Sequence, residues 1–173
     1  LTTNFNPGSN MLELNVYVHL NHNLDVIEYE KKFSSGLAPD SAPYGFDFAQ
    51  KLVKSISYST SHAETWSSRV SRKLITHIVG FDFLHAFRNR RQLQTSDIVW
   101  TMTENEFLGL LALKKFGGNK YKKPIICQTI WLANYFKPSL RNKLKQYLMS
   151  DADIVLTHSN ECIPILRRIL PKQ

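Results

Sequence analysis

The side chains best suited to chemistry stand at or just after the ends of short apolar runs. They are His19 and His22 at "LNVYVHL", His62 and Glu64 after "SISYST", Glu104 after "DIVWTMT", Gln128 to Trp131 closing "PIICQTI", and His158 to Glu161 closing "DIVLTH". Four of the six histidines fall at such ends. Glu104 can act as a general base toward a hydroxyl if its pKa rises toward neutrality; a carboxylate that satisfies a helix N-terminus also fits it. His62, the second candidate catalytic group, and His158 can orient a hydroxyl or a phosphate, and both also fit as satisfied structural histidines. Ser159 and Asn160 suit the same edge and suit helix capping.

These residues share a site only if the runs are parallel strands of one sheet. Runs rich in β-branched residues alternate with longer stretches of helical period, and that alternation predicts βαβ units. Strands are expected at Leu14 to Leu20, Ser55 to Thr60, Asp97 to Thr103, Pro124 to Ile130 and Asp153 to His158. Helices are expected at "YGFDFAQKLVK", "ENEFLGLLALKKF", "KPSLRNKLKQYLMSDA" and "NECIPILRRIL". The result is an α/β fold: a doubly wound, mostly parallel sheet of five or more strands with helices on both faces, and a single Rossmann-like domain over 1–173. Carboxyl ends then gather on one edge, where ligands of such sheets bind.

One segment is longer than a crossover needs. "WSSRVSRKLITHIVGFDFLHAFRNRRQLQ" carries Val70, Leu74, Ile78, Phe81 and Leu84 at helical spacing, widened by Phe83 and Phe87. Arg69, Arg72, Lys73, Arg88, Arg90 and Arg91 stand at its ends. It reads as a crossover helix packed on the sheet with solvated charges, or as a surface helix whose basic residues contact an anionic membrane. Nucleic acid is disfavoured as a partner, since no recognition motif accompanies the charge.

The chain of 173 residues has a formal charge of +8 and is 43% apolar, which fits a folded domain with an anionic partner. Its two cysteines, Cys127 and Cys162, lie in apolar surroundings without metal-ligand spacing and read as buried free thiols in a reducing compartment. No metal site is expected. No apolar run is long enough to span a bilayer, and the N-terminus lacks signal-peptide order, so a cytoplasmic protein is expected. Leu1 is not an initiator methionine.

The first strand runs into "HLNHNLD" with no GxGxxG, and no GxxxxGK[ST], HExxH, GxSxG or paired CxxC occurs. A dinucleotide oxidoreductase or P-loop enzyme needs a glycine turn that exposes backbone N–H groups to phosphate, and this chain offers none.

Four stretches in order, "PYGFDFAQKLVKS", "SDIVWTMTENEF", "KKPIICQTIWL" and "SDADIVLTHSNECIPILRRILP", give the chain a resemblance to the N-terminal half of a GT-B glycosyltransferase of the large retaining family. The last is the most specific: a helix end, a buried strand, a serine at its carboxyl end and a helix ending in proline. The resemblance implies a Rossmann-like acceptor-binding domain, with a second domain beyond this stretch holding the nucleotide-sugar donor. No cofactor belongs to this half. The implied reaction moves a sugar to a hydroxyl of a polysaccharide or lipid-linked acceptor, at the inner face of the cytoplasmic membrane.

By the same resemblance, His19, His22, Gly45, Gln128, Thr129, Trp131, His158 and Ser159 line the acceptor side. Gly45 stands where the family often has a glycine pair. The histidine many members carry after the "KPIICQTIW" strand is replaced in register by Thr129, Ile130 and Trp131, so Trp131 is the expected stacking platform for a sugar ring. A stand-alone flavodoxin-like binding or regulatory module with a basic partner surface is the alternative.

Overall fold

A computed structural model describes residues 11–129 and 138–169, so Trp131 lies outside the described residues. Strands β1 (Leu12–Val18), β2 (Val53–Tyr58), β3 (Ile98–Thr101), β4 (Ile125–Thr129) and β5 (Ile154–Thr157) all pair in parallel. Their order across the sheet is β2-β1-β3-β4-β5. The five strands fall on the five apolar runs: β1 and β2 have the expected lengths but lie two residues earlier, and β3, β4 and β5 are shorter than their runs.

Successive side chains along a strand point to opposite faces. Register therefore sets Tyr17 beside Val99 and Val99 beside Ile125 on one face, with Val16 beside Ile98 and Val18 beside Trp100 on the other. The first face is covered by α3 (Phe83–Arg88), α4 (Arg90–Thr95), α5 (Glu104–Phe116), α6 (Leu140–Met149) and α7 (Cys162–Ile169). At its centre α5 buries Phe107, Leu108, Leu110 and Leu111 completely, each contributing about 2 kcal/mol of apolar burial. On the second face Val16, Val18, Leu20 and Val53 meet Leu24, Val26 and Phe46, from the start of α1 (Val26–Ser34) and from a 3-10 segment at Pro43–Lys51.

α3 and α5 approach through Gly109. A Cβ there would stand 2.8 Å from Ala86 Cβ and 3.1 Å from the Asp82 carbonyl oxygen.

Three expectations change. The helix expected at "YGFDFAQKLVK" is the 3-10 segment, because Tyr44 (φ 61°) and Gly45 (φ 68°) adopt left-handed backbone that no helix continues through. Helix α1 stands where no helix is expected: Asp25 caps it through Ile27 N at 2.9 Å, but it buries no residue and so carries little apolar signature.

The long basic helix is three helices. α2 (Trp66–Val79) ends on Gly80 at φ 84°, a left-handed cap suited to glycine. Asp82 then caps α3 through His85 N at 3.0 Å, and the chain turns again at Asn89. No residue of α2 is buried, and the expected stripe divides: Val70 at 43%, Leu74 at 58% and Ile78 at 59% exposure face outward, whereas Phe81 is buried in the core with Phe83 packed against it. Cys162 is half-buried, whereas Cys127 is fully buried. Among the described residues, no helix is long and apolar enough to cross a membrane.

Candidate functional site at the carboxyl edge

The connection leaving β1 returns to β2 on one side, while the chain beyond β2 crosses over to β3 on the other. The loops after β1 and β3 therefore diverge at the β1/β3 boundary, where open α/β sheets of this order bind ligands. Asn21 and His22 follow β1; Thr103 and Glu106 follow β3.

A hydrogen-bonded bridge spans that boundary. Asn21 Nδ2 donates to Glu106 Oε1 at 3.0 Å and to Thr103 Oγ1 at 3.4 Å. Glu106 Oε2 accepts from Met102 N at 2.6 Å and Thr103 N at 3.0 Å, closing the first turn of α5 back on itself. Burial pushes the Glu106 carboxyl up to about 7, outweighing the N–H donors that favour its charge, and neighbouring Glu104 pushes the same way. Both Asn21 amide hydrogens are taken by these oxygens, so its carbonyl oxygen is the end left to meet a ligand.

Tyr44 overlooks this bridge. Burial and then the Glu106 charge raise its phenol pKa, and its ring lies edge-on to Phe46 at 6.3 Å. Among the described residues it alone combines a side chain with a left-handed backbone, a conformation that costs about 1 kcal/mol or more and is common at binding sites.

Beneath the bridge lies a histidine stack. His19 is 1% exposed, shares a hydrogen bond of 2.7 Å between its Nδ1 and the Tyr17 hydroxyl, and stacks on His85 with ring centroids 5.0 Å apart. His22 meets His85 edge-on at 5.2 Å. A carbonyl only accepts, so His85 Nε2 carries the proton it gives to Leu20 O at 3.0 Å, leaving Nδ1 to face Asn89 Nδ2 at 3.4 Å. Burial holds His85 down at about 4 and holds His19 well below the usual histidine range, so both are neutral. His19 thus forms the floor of the site rather than its lining.

Glu64 anchors the adjoining wall. Its side chain is 4% exposed and accepts from Arg72 Nε at 2.8 Å, Arg72 Nη2 at 3.1 Å and Arg88, with His22 Nε2 at 3.5 Å. Arg72 also reaches Asp82 Oδ2 at 2.8 Å. Hydrogen bonding from Arg72 is the first cause that holds the Glu64 carboxyl down at about 2. Two of the cations assigned from sequence to a membrane face, Arg72 and Arg88, therefore point inward. Arg69, Lys73 and Arg91 are exposed, and Arg90 lies over the Phe87 ring at 4.2 Å.

The other expected site residues divide. His62 is exposed, and its charge acts on His85. Glu104 is 2% exposed inside the start of α5, and Gly45 lies in the strained turn beside Tyr44. Gln128 contacts His158 across β4 and β5, with buried Thr129 paired to Thr157 and Ser159 Oγ accepting from Glu161 N at 3.2 Å. These last residues form a second group, two strands from the switch point. Among the described residues, no three His, Cys, Asp or Glu side chains are grouped to hold a metal ion.

Asn21, Tyr44, His85 and Glu106 were not singled out from sequence. For Glu106 a signal exists, since Thr103 followed three residues later by Glu106 is a capping-box pattern. A groove of about 620 Å³ lies at the opposite, amino edge among Lys114, Lys115, Lys122, Lys123, Asp151 and Asp153, where Lys115 pairs Asp151 and Lys114 pairs Asp153. It is remote from the switch point, and its two aspartates answer two of its four lysines. No protein-family model, curated protein or solved structure matches the chain.

Proposed function

We propose that this chain binds the acceptor in a sugar-transfer reaction, with the acceptor hydroxyl seated at the β1/β3 boundary. The observation that carries this reading is the Asn21 amide, turned by Glu106 and Thr103 so that its carbonyl oxygen meets a donor such as a sugar hydroxyl. Tyr44, exposed and close enough to Glu106 to feel its charge, and His62, exposed and close enough to act on His85, supply an aromatic face and an imidazole of the kinds that hold sugar rings and hydroxyls. The glycine-free turn after β1 offers no phosphate cradle, in keeping with a donor nucleotide held by another domain.

In the reaction the acceptor oxygen bonds to the anomeric carbon, the bond from that carbon to the donor phosphate breaks with its electron pair on the phosphate, and the hydroxyl proton leaves. His62 is the exposed group here that can take that proton. Glu106, 1% exposed, is a positioning residue that acts through Asn21.

Titration of the purified protein with neutral and lipid-linked glycans, followed by amide NMR, tests the reading. Shifts should cluster at residues 20–22, 44–46 and 102–106, and Asn21→Ala should weaken binding about tenfold. Absence of shifts with any glycan, or shifts confined to the amino edge, overturns it.

The strand order is also that of flavodoxin-like binding modules, whose flavin sits at this boundary. Shifts on addition of FMN at the same loops, with none from glycans, would favour that second reading.

A further inference from the structure

We propose that the outer face of α2 docks on an anionic lipid bilayer, with Trp66, Val70, Leu74 and Ile78 entering the interface and Arg69 and Lys73 meeting the headgroups.

The helix presents apolar side chains to the outside. Its inner face is held by polar contacts, Arg72 to Glu64 and Asp82 and Ser68 to Arg88, and at its end by Val79 against the core. Its outer face carries apolar side chains four residues apart, with Trp66 80%, Val70 43%, Leu74 58% and Ile78 59% exposed. Contiguous exposed apolar side chains on a well-anchored helix mark a surface that is covered in use. Fourteen residues of helix give a rod of about 21 Å, suited to lying in an interface plane.

Charge selects the occupant. No Asp or Glu lies between Thr65 and Phe81, and Arg69 and Lys73, with no ion pair among the described residues, flank the stripe. The patch continues into the first turn of α6, where Leu140 is 86% exposed and Arg141 and Lys145 pack over Gly80 at the end of α2. A second copy docked on this face would bring like charges together, whereas an anionic bilayer answers both the stripe and its cations.

The start of α2 is tied to the carboxyl edge through Glu64, which pairs with His22 and with Arg72 of the helix. On the sugar-transfer reading, docking brings the β1/β3 boundary within reach of a lipid-linked acceptor. The docking itself uses no residue of that boundary.

Cosedimentation with vesicles of phosphatidylcholine, alone or mixed with phosphatidylglycerol, tests it. Binding should require the anionic lipid and weaken with salt. Arg69→Glu with Lys73→Glu should weaken it at least about tenfold. Leu74→Glu with Ile78→Glu should weaken it as much even at low salt, with circular dichroism and glycan titration unchanged. Failure to bind anionic vesicles, or binding indifferent to the Leu74 and Ile78 changes, overturns the proposal. So does a dimer, seen by sedimentation equilibrium, that those changes dissociate. Vesicle binding without glycan binding would sink the sugar-transfer reading alone.

Discussion

Asn21 and Glu106 tie the two strands flanking the switch point together, the amide of one donating to the carboxyl of the other at 3.0 Å. A carboxyl pushed up to about 7 and an imidazole held down at about 4 lie in the same polar layer, and they pull stability in opposite directions with pH. Between its ordinary value of 4.5 and about 7, the unfolded chain has released the Glu106 proton while the folded chain retains it, so this group lowers stability as pH rises. The full effect is about 3 kcal/mol at most. Between about 4 and 6.5 the unfolded chain protonates His85 and the folded chain does not, so His85 raises stability as pH rises.

The two effects offset each other through mildly acid pH. Glu106→Gln should therefore steepen the gain in stability from pH 4.5 to 7, and His85→Gln should flatten or invert it. Urea unfolding at half-unit pH steps reads both; an unchanged slope in Glu106→Gln would show that this carboxyl titrates normally.

Glu64 gathers two guanidinium groups and His22 in a nearly dry pocket. Glu64→Gln takes the countercharge from Arg88 and leaves Arg72 with Asp82 alone, and should destabilise the fold by about 2 kcal/mol or more at pH 7. Since its folded value is about 2, the wild-type protein should lose this contribution only as pH falls from 4.5 toward 2. The check is the urea midpoint across that range, where the variant should show a shallower acid loss than the wild type.

Tyr44 gives up backbone comfort at the lip of the site. Tyr44→Gly should leave stability unchanged or raise it by up to about 1 kcal/mol, while weakening glycan binding. A large loss of stability on thermal melting would mean that the ring is structural and that its backbone conformation is over-determined by packing.

Burial raises the Cys127 thiol pKa far above its ordinary value and seals it among Ile125, Val99 and the helices of the first face. An aromatic disulfide reagent should label Cys162 alone in the native state and both thiols after unfolding. Rapid native labelling of two thiols would contradict the packing of β4.

The strands were legible because each is a short apolar run with turn residues beside it, and a parallel sheet buried in the core needs little else. Glu104 was read as chemistry and is held within the start of α5, while Glu106, two residues on, makes the bridge. What decides between them is the capping geometry of one helical turn. The outward stripe of α2 was beyond composition alone: Val70, Leu74 and Ile78 have the spacing of a packed face, and only Glu64 and Asp82, gripping the opposite side through Arg72, turn them to solvent. His85 gave no sign because a histidine inside a basic amphipathic stretch resembles any solvated one.

Gly109 leaves no side chain between the helix that carries Asp82 and His85 and the helix that carries Glu106. The gauge between them is set by main chain against main chain and one methyl, not by rotamers that can trade places. A ligand that shifts the main chain of α5 must therefore carry α3 and its His85 along, whereas one that only turns the Glu106 side chain need not.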